Sequence, residues 1–273
     1  MEYCNLIKII KQKKELNSLS DEFVLGIIKI YLKNEMPKLL ENQEWLNNTK
    51  NKYFRTVVKN VRKNLREVHG AFKKKGYDKK YKLLDEIKSL NDFEGHAKIL
   101  KLHTSTAERL KNYIEIYGKI LEKVYKVESL LDLGAGLNPL SIPFMDFKVG
   151  TYYAVEVAED DVEFINAYFK KFNIKGHAFV KDLTYVDNLP EVDVCFMFKL
   201  LDTLESLKKD VTKELISKVK AKWLVVSFAT KSLGGRKVIS KKRTSWFKKI
   251  IKAYEYDTFE VDNEYFFVVR KDL

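Results

Sequence analysis

Leu130-Leu131-Asp132-Leu133-Gly134-Ala135-Gly136 is the stretch whose reading decides the fold. A short apolar run, Ser129 to Leu133, reads as a buried strand, and small residues then release the chain into a turn. Working outward, the same alternation recurs. Tyr152 to Val157, His177 to Lys181, Val192 to Phe198 and Trp223 to Phe228 read as further strands. Asp160 to Phe172 reads as a helix, with Val162, Ile165, Tyr168 and Phe169 on one side. Repeated strand–helix units imply an α/β fold whose sheet is mostly parallel and covered on both faces. The tail breaks the pattern. Tyr254 to Val261 and Tyr265 to Val269, separated by Asp262-Asn263-Glu264, predict an antiparallel hairpin at the sheet edge.

Before residue 101 the chain reads as helical. Pro37 is its only proline before Pro139. Phe54, Val57, Val58, Val61, Leu65 and Val68 recur at steps of three and four, which draws one apolar stripe on a helix. Lys52, Arg55, Lys59, Arg62, Lys63 and Arg66 fall on the other side, and Gly70 with Lys73 to Lys75 predicts an end and a loop. The expected division is a helical domain over 1–100 and a ligand-binding domain over 101–273.

The chain has 273 residues, of which 45% are hydrophobic and 33% charged, a globular composition that excludes disorder and a small disulfide scaffold. No apolar run reaches the eighteen or so residues of a membrane span. The first residues carry Lys11, Lys13 and Lys14 without a long apolar stretch, so no secretory leader is expected. Cys4 and Cys195 offer neither a disulfide framework nor metal-ligand spacing, which predicts a reducing cytoplasmic setting and no metal site. The net charge of +13 is concentrated. Thirteen Lys and Arg against two acids fall between Lys50 and Lys82, and nine against none between Lys231 and Lys252, leaving −7 elsewhere. Two basic regions on an acidic body point to a polyanion such as nucleic acid. Solvated lysine-rich faces would give the same pattern.

Glycines at a strand end let backbone approach a ligand. The loop lacks the third glycine of the dinucleotide fingerprint, since Asn138-Pro139 follows Gly136-Leu137. Glu156, twenty residues after Gly136, is placed to accept both hydroxyl hydrogens of a ribose, and Asp182 after the third strand to reach an adenine amino group. A dinucleotide-binding domain shares the loop and the ribose acid. It predicts neither Asp182 nor the tail hairpin, and either acid could instead cap a helix.

Four further segments carry a resemblance: Leu102-His103-Thr104-Ser105-Thr106-Ala107-Glu108-Arg109-Leu110, Gly136-Leu137-Asn138-Pro139-Leu140, Phe198-Lys199-Leu200-Leu201, and Val226-Ser227-Phe228-Ala229-Thr230-Lys231-Ser232-Leu233-Gly234-Gly235-Arg236. Together they closely resemble the aminoglycoside-resistance 16S rRNA methyltransferases, the Arm family, over nearly the whole chain, Leu65 to Phe72 and Asn263-Glu264 included. The resemblance implies a Rossmann-like class I methyltransferase with an N-terminal helical domain, using S-adenosyl-L-methionine to methylate N7 of a decoding-site guanine in the 30S subunit, and acting as a cytoplasmic monomer. It places His103, Thr104, Ser105, Arg109, Gly134, Gly136, Glu156, Asp182, Leu183 and Phe198 around the cofactor, with Arg109 on its carboxylate. Lys199 and Arg236 fall near the target nucleotide. Ser105 and Glu108 also have the spacing of a capping box. Arg62, Lys63, Arg66, Lys73, Lys74 and Arg243 are the cations expected on rRNA phosphates. Two departures stand out. Glu156 replaces the family's usual Asp, and Lys237 to Ser245 replaces its usual Gly-Lys-Gly-Met-Glu segment. The altered loop leaves open a different RNA target, or an rRNA-binding assembly factor that does not turn over. Guanine N7 loses no proton on methylation, so no general base is expected.

Overall fold

The computed structural model describes residues 3–185, 187–232 and 237–271. The chain begins with helices α1 (Cys4–Lys11), α2 (Asp21–Glu35), α3 (Lys38–Glu41) and α4 (Lys52–Val68). Ser20 caps α2 by accepting from Phe23 N at 3.2 Å, and Asn51 caps α4 by accepting from Tyr53 N at 2.7 Å. The predicted α4 stripe is buried: Phe54, Val57, Val58, Val61 and Leu65 pack with α1, α2 and Trp45. This apolar face is thereby taken up by the protein's own core. Helices α5 (Lys80–Glu86), α6 (Phe93–Leu100), α7 (Thr104–Arg109) and α8 (Tyr113–Val124) follow.

Seven strands then form one sheet: β1 (Ser129–Leu133), β2 (Thr151–Glu156), β3 (Gly176–Val180), β4 (Val192–Phe198), β5 (Ala221–Ala229), β6 (Glu255–Val261) and β7 (Glu264–Arg270). Their order is β3-β2-β1-β4-β5-β7-β6. The pairings from β3 to β5 are parallel, and β7 runs antiparallel to both β5 and β6. Asp262, at φ 50°, opens the two-residue hairpin turn. The predicted turn included Glu264, which instead begins β7.

Both sheet faces are apolar, as a covered parallel sheet requires. On β4, Val194 and Phe196 face the core shared with α8 and α9 (Glu159–Lys171). Cys195 and Met197 face the core shared with α10 (Leu201–Leu207), α11 (Val211–Lys218) and α12 (Ser245–Ile250). The sequence division at residue 100 does not coincide with the packing. Tyr77, Leu84, Ile87, Ile99 and Leu100 belong to the sheet's core, whereas residues from Tyr3 to Leu65 form another core that also takes in Ala158 and Leu207. Helical character and core membership change at different points, because α5 and α6 spend their apolar sides on α9 and the segment after β1.

Among the described residues no helix is long and apolar enough to cross a membrane. The segment Gly70 to Lys75, predicted as a loop, is partly regular. It forms a short 3-10 turn, Gly70–Phe72, and then bridges back to the main body at Lys73 and His103.

Candidate functional site

The site lies beyond the carboxyl ends of β1, β2 and β4, where open α/β sheets bind ligands. Gly134 and Gly136 hold φ 66° and 53°, the left-handed region. Space agrees: a Cβ on Gly134 would stand 2.8 Å from Leu200 Cδ1, and one on Gly136 3.1 Å from the His103 ring. Gly134 N and Ala135 N donate to Val155 O at 3.0 and 3.1 Å. The missing third glycine has a structural reason. The segment after β1 is a 3-10 helix, Asn138–Phe144, and buried Asn138 Nδ2 donates to Asp132 Oδ2 at 2.9 Å. Tyr152 OH donates to the same oxygen at 2.7 Å. Burial pushes Asp132 up to about 6 against these two donors.

Glu156 ends β2 and clasps the loop. Its Oε1 accepts from Gly136 N at 2.6 Å and its Oε2 from Val157 N at 3.0 Å. Burial and the nearby Asp161 carboxylate nevertheless push its carboxyl up to about 7.

Opposite stands a buried ion cluster. Arg109, 3% exposed, donates through Nε to both oxygens of Glu264 at 3.0 and 2.9 Å. Its guanidinium lies over the Phe198 ring at 4.8 Å. Lys199 Nζ pairs with Glu108 at 2.7 Å and Glu264 at 3.2 Å, and Ser227 Oγ donates to Glu264. Burial opposes both charges of the Arg109–Glu264 pair, but each holds the other ionised: Arg109 is raised and Glu264 lowered from the ordinary values. Lys199 adopts φ 54° as it leaves β4, which aims its side chain back over the strand ends. Two cations thus meet two carboxylates.

One cavity joins these parts. His103, Ser105, Arg109, Gly134, Glu156, Leu183, Phe198 and Lys199 line it, so most of the predicted cofactor residues converge. Three do not. Gly136 is not in the lining, although a Cβ on it would meet the His103 ring. Thr104 Oγ1 donates to Phe72 O at 3.1 Å. Asp182 faces a neighbouring groove with Tyr185 and Lys29. Its Oδ1 accepts from Thr184 N and Oγ1 at 2.8 and 2.7 Å, and a Cβ on Gly26 of α2 would stand 2.9 Å from its Oδ2. The turn chemistry of Asp182-Leu183-Thr184 and the packing of α2 draw this acid away from the cavity. Nor does the capping box form. His103, not Ser105, precedes α7, and Glu108 is taken by Lys199.

The expected phosphate cations divide. Arg62 donates to Ile9 O and, at 3.3 Å, to Ile10 O, closing the end of α1, while Arg66 pairs with Glu15 at 2.7 Å. Lys73 pairs with buried Asp161 at 3.1 Å. Arg62 and Lys73 are thus half-buried and tied to the protein, while Arg66 is exposed but paired. Lys63, Lys74, Arg243 and also Lys52, Arg55 and Lys59 are exposed. Arg236 lies outside the described residues.

Sequence reasoning missed Asp132, His69 and Phe72, all of which line the cavity, gave no role to Glu264, and read Glu108 only as part of a capping box. Among the described residues five buried polar side-chain atoms have no hydrogen-bond partner, and three of them, Arg109 Nη2, His103 Nδ1 and His69 Nε2, belong to this site. All three residues line the cavity, so a ligand is what would satisfy them. A ligand carboxylate suits Arg109 Nη2 and a pair of hydroxyls suits Glu156, so the residues fit an amino acid joined to a nucleoside.

The family model for ribosomal RNA methyltransferase (FmrO) matches residues 52–268. The chain belongs to this family. It is 30% identical over 233 residues to a 16S rRNA (guanine(1405)-N(7))-methyltransferase of Micromonospora echinospora, covering 79% of this chain and 82% of the relative. A protein of that same name from Proteus mirabilis is 32% identical over 199 residues, or 67% and 71% of the two chains. Among solved structures, the 16S rRNA methyltransferase RmtF in complex with S-adenosyl-L-homocysteine superposes with a TM-score of 0.81 at 26% identity, covering 98% of this chain and 97% of the other. The Rossmann-like methyltransferase sheet expected from the sequence is therefore the family's fold.

Proposed function

We propose that this protein transfers the methyl group of S-adenosyl-L-methionine to N7 of the decoding-site guanine, position 1405, of 16S rRNA within the 30S subunit. Such a modification would confer aminoglycoside resistance. The observation that carries the reading is the pairing of an unsatisfied, buried Arg109 Nη2 with Glu156 across one glycine loop, in a chain belonging to this family.

Arg109 Nη2 would hold the cofactor's carboxylate, Glu156 its ribose hydroxyls, and Leu183 would pack on its base. When bound, the cofactor supplies an electrophilic methyl group on a sulfonium. The chain's own task is positioning. N7 presents a lone pair and releases no proton, so no side chain need act as a base. In-line alignment supplies the rate, worth roughly 7–11 kcal/mol at best. The Arg109–Glu264–Lys199–Glu108 cluster is electrically balanced, so it adds no net positive charge beside a sulfonium. Lys199, at the cavity wall, would face the incoming nucleotide. A target base drawn from its helix costs a few kcal/mol, repaid by stacking in the site.

Lys52, Arg55, Lys59, Lys63 and Lys74 would grip rRNA phosphates together with Arg243 across the site. We place the boundary between the RNA-gripping unit and the methyltransferase unit at Gly70, where core membership changes. A monomer acting in the cytoplasm completes the proposal.

The test incubates the protein with methyl-tritiated cofactor and, separately, 30S subunits, 50S subunits and protein-free 16S rRNA. Label in 30S subunits alone is expected. No label anywhere, with S-adenosyl-L-homocysteine binding intact by calorimetry, would mean a binding protein that does not turn over.

A further inference from the structure

The N-terminal unit supplies a wall of the cavity that carries its own unsatisfied group. Val68, His69 and Phe72 line the cavity from the end of α4. The segment is fastened there. Lys74 N donates to Leu102 O at 2.9 Å, and Phe72 stacks on His103 with ring centroids 5.7 Å apart and planes 13° apart. A second seam joins Ser20 N to Val157 O at 3.1 Å and Glu159 N to Ser18 O at 2.8 Å, on the chain that follows Glu156.

His69 is 8% exposed, and its Nε2 has no hydrogen-bond partner. The nearest acid is Asp161, whose Oδ2 is 4.0 Å away, beyond bonding distance. Asp161 is already served by Tyr77 OH at 2.9 Å, by Lys73 at 3.1 Å and by Lys80. It does not need His69. Position selects the ligand group. Asp161 stands in the first turn of α9, five residues after Glu156 on the same chain, and its charge helps raise the Glu156 carboxyl. His69, beside Asp161, is therefore on the ribose side of the cavity, away from the carboxylate side.

We propose that His69 is a cofactor-binding residue: its Nε2–H donates to the oxygen of a ribose hydroxyl whose hydrogen Glu156 accepts, so that the ribose is held from the sheet and from the N-terminal unit at once. The inference rests on the cofactor reading given above. Burial, with the Lys73 cation beside it, holds the imidazole down at about 3, so it is neutral at working pH. A neutral imidazole can donate to a hydroxyl oxygen and places no second positive charge near a sulfonium.

The experiment titrates S-adenosyl-L-homocysteine and its 2′-deoxy and 3′-deoxy analogues into wild type, His69→Phe and His69→Gln by calorimetry. His69→Phe should weaken the parent ligand about tenfold, and His69→Gln, which keeps an N–H at the same reach, by less than about threefold. One deoxy analogue should show no difference between wild type and His69→Phe. Equal affinity of wild type and His69→Phe for the parent overturns the proposal, as does a loss of equal size for all three ligands. If neither variant folds, wild type with 15N-labelled imidazoles reports directly. The chain has four histidines, and the His69 Nε2 resonance should move on adding the parent ligand but not the informative deoxy analogue. An unmoved resonance overturns the proposal. Failure of the wild type to bind the parent ligand at all would overturn the cofactor reading instead.

Discussion

Cofactor affinity should depend on pH through Glu156. Its carboxyl is raised to about 7 by burial and by Asp161, against the Gly136 and Val157 N–H donors and the Lys73 cation. Only the ionised form accepts two hydroxyl hydrogens, so the apparent Kd is the intrinsic value divided by the ionised fraction. That fraction is about nine-tenths at pH 8, about one-half at pH 7 and about one-tenth at pH 6, so affinity should fall roughly tenfold between pH 8 and pH 6. Folding has the opposite sign. A carboxyl raised above its unfolded value of 4.5 favours the folded state at low pH, and that stability is lost as pH rises through about 7. His69 and His103, at about 3 and about 4, stay neutral throughout this window. Asp132, at about 6, does titrate, which makes a Glu156→Gln control necessary. Calorimetry with S-adenosyl-L-homocysteine at pH 6, 7 and 8, in buffers of different ionisation enthalpy, should show release of about half a proton at pH 7. Glu156→Gln should bind more weakly and lose most of the slope. Equal affinity at pH 6 and pH 8, or an unchanged slope in the variant, would refute the reasoning.

Arg109→Met should weaken S-adenosyl-L-homocysteine by about 10- to 100-fold in calorimetry, the worth of one charge-assisted hydrogen bond. Glu264→Gln leaves Arg109 and Lys199 short of a carboxylate in a buried setting, and should cost about 3–5 kcal/mol in denaturant unfolding. The two halves of the basic face should separate. Lys59→Ala should lower the salt slope of 30S binding by about 1 with little change in stability, whereas Arg62→Ala, which frees the Ile9 and Ile10 carbonyls, should cost about 1–3 kcal/mol of stability.

The sheet was legible because its signal is local. Apolar runs of strand length, glycines at a strand end and a hairpin at the tail are each read from a few neighbouring residues. Ser129–Leu133 and Val192–Phe198 were placed to the residue. Glu156 and Arg109 were legible for the same reason, one at a strand end and one inside a specific string. What escaped depends on residues distant in sequence. Asp182 follows its strand as a ligand acid should, yet its Oδ1 accepts from Thr184 and its Oδ2 lies close against Gly26 of α2, more than 150 residues away. Arg62 and Arg66 look like solvated cations on a helical wheel. Only packing shows that the ends of α1 and Glu15 take them. His69 carries no pattern of its own, and its place in the cavity wall depends on how the N-terminal unit seats against the chain that follows β2.

The most direct measurement maps the methylated base. After reaction of 30S subunits with the protein and S-adenosyl-L-methionine, borohydride reduction and aniline cleave the rRNA at 7-methylguanine, and primer extension locates the break. A stop at guanine 1405 that requires the cofactor and disappears with Arg109→Met is the predicted result. Cleavage at another guanine, with none at this one, would contradict the account of its target.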